Sequence, residues 1–75
     1  MRRYYVDIQL GKLTAVDKEG IVLPNLEAVQ REALRILANV ATELVEIPAG
    51  ITVRVRDDDG PVMRVEVNFK IDRTN

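Results

Sequence analysis

Three consecutive carboxylates, Asp57-Asp58-Asp59, are the densest cluster of chemically capable groups in the chain. Acids held in a turn offer oxygen ligands to Ca²⁺ or Mg²⁺. Their spacing departs from an EF-hand loop, which spreads its ligands over about twelve residues and closes on a Glu. With Gly60 behind them they read more simply as a polar hairpin turn. Asp17 and Glu19 sit in a similar turn, Asp17-Lys18-Glu19-Gly20, and read the same way. No metal or cofactor is therefore assigned.

The remaining inventory is poor in catalysts. The chain has no His, Cys, Ser or Trp. That removes the commonest general base, the commonest nucleophiles and the usual nitrogen and thiolate metal ligands. Carboxylates, four Thr, two Tyr and three Lys are left. No phosphate loop, dinucleotide glycine motif or zinc spacing occurs. The expectation is a protein that is not an enzyme.

A second set of candidates is basic. Tyr5, Arg54, Arg56 and Arg64 fall on one face of the expected strands, where the cations would meet phosphates and the ring would stack on a base. Asp7, Glu66 and Asp72 share that face, and net charge is −1. Cross-strand ion pairing on a solvated surface is the plainer reading. Nucleic-acid binding is the alternative function.

The elements that would position these groups follow from periodicity. Arg3–Leu10 alternates, with Tyr4, Val6, Ile8 and Leu10 on one face, as a half-buried strand does. Gly11-Lys12 turns the chain, and Leu13–Val16 forms a short second strand. Gly20 suits a turn that needs positive φ. Ile21–Leu23 is a brief extended piece that continues the second strand after a bulge. Beyond the helix, Ile51, Val53 and Val55 alternate with Thr52, Arg54 and Arg56. Asp59-Gly60 closes a hairpin, and Met63, Val65, Val67, Phe69 and Ile71 mark a long last strand.

Between the hairpins, Asn25–Glu46 repeats at helical spacing. Leu26, Val29, Ala33, Leu37, Val40 and Leu44 share one stripe. Asn25 is a good N-cap, and Glu27 complements the positive helix end. Pro48 is the expected stop. Leu34, Ala38 and Val45 widen the apolar arc beyond that stripe. Either a curved sheet or the chain ends cover them, or they meet a partner, most simply a second copy of the chain. Leaving Leu34 and Val45 in water forgoes about 1.5–3 kcal/mol each.

The fold class expected is α+β, in the order β-β-α-β-β. It is one mainly antiparallel sheet of about four strands with a single long helix on one face. The first and last strands, both long, could be neighbours at its centre. With 75 residues the chain is one small domain with a thin core. No apolar run approaches the roughly 20 residues of a membrane span. The basic Met1-Arg2-Arg3 leads into an alternating strand, unlike a signal peptide. Absence of cysteine favours the cytoplasm, because small secreted domains usually need disulfides.

Several short motifs carry a resemblance. They are Arg3-Tyr4-Tyr5 with Asp7, Asp17-Lys18-Glu19-Gly20, Leu23-Pro24-Asn25-Leu26-Glu27-Ala28, Arg31-Glu32-Ala33, and Val53-x-Val55-x-Asp57 with Gly60-Pro61-Val62. Together the chain resembles a family of short uncharacterised bacterial proteins, a domain of unknown function. The resemblance implies a bacterial, soluble protein and supplies no catalytic residue. A fainter likeness, to HicB-type antitoxins, rests on the first strand and the helix start. Their extra strand, Pro-Gly-Cys-like turn and DNA-binding tail are missing. The leading expectation is a small protein-interaction domain that associates with itself through the helix.

Overall fold

The computed structural model describes residues 1–44, 50–70 and 72–74. The elements run β1 (Arg2–Leu10), β2 (Leu13–Ala15), β3 (Ile21–Leu23), α1 (Leu26–Glu43), β4 (Gly50–Asp57) and β5 (Gly60–Asn68). This is an α+β fold with one helix on an antiparallel sheet. It has five strands rather than four, because Ile21–Leu23 forms a strand of its own.

The sheet order is β2-β1-β4-β5, with β3 also paired to β1. The first and last strands are therefore not neighbours; β4 lies between them. β2 pairs with the end of β1, through Ile8, Gln9 and Leu10. β3 pairs with its beginning, through Arg2, Arg3 and Tyr4. The segment between them loops away, and the Asp17 carboxylate accepts the Val6 N–H at 3.1 Å. A side chain thus replaces a ladder bond where the outer strand is interrupted.

Register bears out the alternation read from the sequence. Val6 faces Val55, and Ile8 faces Val53. Val53 in turn faces Val65. These side chains meet α1, which packs mainly across β4 and more lightly on β3 and β5. The fully covered core is small: Tyr4, Val6, Val29, Ala33, Ile51, Val53 and Val55. Leu37 and Val40 are half-buried against the sheet. Leu26, expected in the same stripe, is 57% exposed because it opens the helix beyond the sheet's cover.

The helix starts as expected. Asn25 is extended, and its side-chain oxygen accepts the Ala28 N–H at 2.8 Å. It stops earlier than Glu46: Glu43 is the last helical residue and Leu44 is already extended. The last turn carries no basic residue, and Glu43 opposes the negative helix end. The helix therefore ends ahead of Pro48. Val45, Glu46, Pro48 and Ile71 lie outside the described residues.

The molecule measures 52 × 23 × 18 Å, with a radius of gyration of 13.7 Å. A compact chain of this length would have about 11 Å. One layer of helix on one layer of sheet accounts for the thin core.

Candidate functional site

The open face of the sheet holds the basic candidates. Tyr5 stands opposite Arg56, Asp7 opposite Arg54, and Gln9 opposite Thr52. Arg54 stands opposite Arg64 on the next strand. Arg54, Arg56, Arg64 and Asp7 border one shallow depression of about 460 Å³. The three arginines are therefore brought together, as their strand parity required.

Their states differ. Arg56 is committed to the fold. It donates from Nε to Asp7 at 2.9 Å and from Nη2 to the Asp17 carbonyl at 2.9 Å. Its guanidinium lies over the Tyr5 ring, 4.6 Å from the centroid. The Tyr5 face that was to stack on a base is thus occupied by the chain itself. The Asp7 carboxylate raises the Arg56 pKa, chiefly through this hydrogen bond. Arg54 donates only to Gln9, a neutral group. Arg64 has a loose 3.6 Å pairing with Glu66, and both side chains are well exposed.

Sequence reasoning missed the knot behind Arg56. Asp7 accepts the Asp17 N–H at 2.9 Å. The Asp17 carboxylate accepts from Val6, Glu19 and Gly20 at 3.0–3.1 Å. These bonds hold its pKa below the usual carboxylate range, the Gly20 N–H contributing most. Gly20 has φ +74°, and a Cβ there would come within 2.8 Å of the Tyr4 carbonyl oxygen. The local signal was an Asp three residues before a Gly, the mark of an Asx turn. The Asp17-to-Gly20 motif is therefore structural.

In the acidic loop the fold engages the Asp57 carboxylate, while Asp58 and Asp59 are exposed. Asp57 accepts the Asp59 N–H at 2.8 Å and pairs with Arg2 at 3.0 Å. Among the described residues no three carboxylates come together as a metal site. The Asp59 N–H lowers the Asp57 pKa most, and Arg2 adds to it.

On the helix, Leu34 is 47% exposed and Ala38 is exposed on the same flank. Val45, the third residue of that arc, lies outside the described residues. At the β1–β2 end, Leu13 is 74% exposed beside a largely apolar groove with Ile8, Leu10 and Val40. The sequence reading did not single out that groove.

No helix among the described residues is long and apolar enough to cross a membrane. The sequence model of a family described as a domain of unknown function, DUF6894, matches residues 3–68. The likeness to HicB-type antitoxins finds no support there. No curated protein and no solved structure matches the chain significantly.

Proposed function

We propose that this chain, which belongs to the DUF6894 family, acts without catalysis as a small protein-interaction domain. Its simplest partner is a second copy, met through the exposed flank of α1. One observation carries this reading. Leu34 is 47% exposed while Val29 and Ala33 near it are at 1% and 0%, so these two are covered without it. Covering the half of Leu34 that is still in water gains about 0.7–1.5 kcal/mol when a partner buries it. The absence of His, Cys and Ser argues against nucleophilic or general-base chemistry. The lack of cysteine in so small a domain favours the cytoplasm.

Sedimentation across a concentration series tests the reading. Association is expected in the micromolar range, and Leu34→Glu should weaken assembly more than folding. A chain that stays monomeric at high micromolar concentration would overturn it.

A second reading, nucleic-acid binding by the open face, is favoured by the opposition of Arg54 and Arg64. Arg54 has only a neutral partner and Arg64 only its exposed 3.6 Å pairing with Glu66, so an incoming phosphate would relieve their repulsion. Binding titrated with salt tests it. Absence of binding at low salt removes it, as does binding that survives Arg54→Ala with Arg64→Ala. Arg56 is a poor probe here because removing it unpairs Asp7.

A further inference from the structure

β5 is a long strand with a neighbour on one side only among the described residues. Its outer edge presents a row of unpaired backbone groups, a template for another strand. Its core-side residues are also under-covered. Ile51, Val53 and Val55 on β4 are 0–1% exposed, yet Val67, Val65 and Met63 directly opposite them are only half-buried. The helix lies chiefly over β4 and leaves the outer half of this apolar face open.

We infer that β5 pairs antiparallel with β5 of a second copy, centred on Val65. A two-fold antiparallel pair must centre on one residue, because its axis stands perpendicular to the sheet. Centring on Val65 sets Arg64 of each copy against Glu66 of the partner, twice over. It also sets Met63 against the partner's Val67 on the core side. Apolar then meets apolar and each charge meets its opposite. Centring on Arg64 or Glu66 would oppose like charges. Centring on Met63 or Val67 leaves neither charge facing its opposite. In the Val65 register the regular ladder runs from Met63 to Val67, and the bulge at Val62 and Pro61, which has no N–H, fall just outside it. The occupant is thus identified by self-complementary charge: a copy of this chain.

This contact is separate from the α1 flank and goes beyond the function proposed above. The experiment is therefore done in the Leu34→Glu background. That variant should sediment as a dimer at micromolar concentration. Adding Arg64→Glu alone, or Glu66→Arg alone, should yield a folded monomer by circular dichroism and sedimentation. Mixing those two proteins should restore a dimer, as should combining both reversals in one chain. A folded monomer in the parent background, or a dimer indifferent to either reversal, would overturn the inference. Wild-type assembly unaffected by Leu34→Glu but abolished by charge reversal would remove the helix reading and keep this one. Should a variant not fold, amide exchange on the unsubstituted protein decides. Outward-facing β5 amides should gain protection as concentration rises; constant exchange overturns the pairing.

Discussion

Arg54 and Arg64 stand directly opposite each other on β4 and β5, two like charges facing across the ladder. Such an arrangement is destabilising within a sheet, and opposite charges there are worth about 0.2–1 kcal/mol. Arg64→Glu should therefore stabilise the monomeric fold by about that amount. Urea unfolding at a concentration where copies are dissociated measures it. Added salt should shrink the gain.

Removing the Asn25 cap should destabilise α1 without touching either surface. Asn25→Ala leaves the Ala28 N–H unpaired and should lower stability by about 1 kcal/mol. Asn25→Gly should restore most of the loss, because glycine is itself tolerated at this position. Denaturant midpoints of the three proteins check it.

Gly20→Ala should be more damaging than its size suggests. The position has φ +74°, and the new methyl would collide with the Tyr4 carbonyl. A loss of about 2 kcal/mol or more is expected. Thermal unfolding measures it, and a change under about 0.5 kcal/mol would show that the turn relaxes freely.

Acid should unfold the protein through its turn carboxylates. Asp17 and Asp57 both have folded pKa values below their unfolded ones. The unfolded state then binds more protons in acid, so this stability is complete above the unfolded value of about 3.9 and is lost as pH falls through the folded values. Melting temperature should drop between about pH 5 and pH 2. Asp17→Asn should be less stable at neutral pH and show a flatter acid limb. An unchanged acid limb would mean that Asp17 is not a source of it.

Local pattern made much of this molecule readable. Period-two alternation set the facing of β1, β4 and β5, because one side of each must meet α1. Asn25 marked the helix start because a side-chain acceptor is needed wherever N–H groups lack partners. The helix end was harder: Pro48 was a visible stop, but an unfavourable Glu43 and no basic residue in the last turn ended α1 sooner. Strand order was not readable, since alternation says which way a side chain faces and nothing about its lateral neighbour. The arginines were placed together correctly by parity. Their inequality was hidden, because Arg56 is held by Asp7 and Asp17, which lie 49 and 39 residues away.

The two rims of the sheet are unlike. One is made of two three-residue strands parted by the Asp17 turn, which spends its carboxylate on the Val6 amide. The other is the nine-residue β5, whose one bulge, at Val62, lies near its start. A visiting strand finds no continuous ladder to extend along the broken rim, so growth in that direction is blocked. Joining at β5 closes on itself as a pair, and the sheet keeps no second continuous edge along which strands could go on adding.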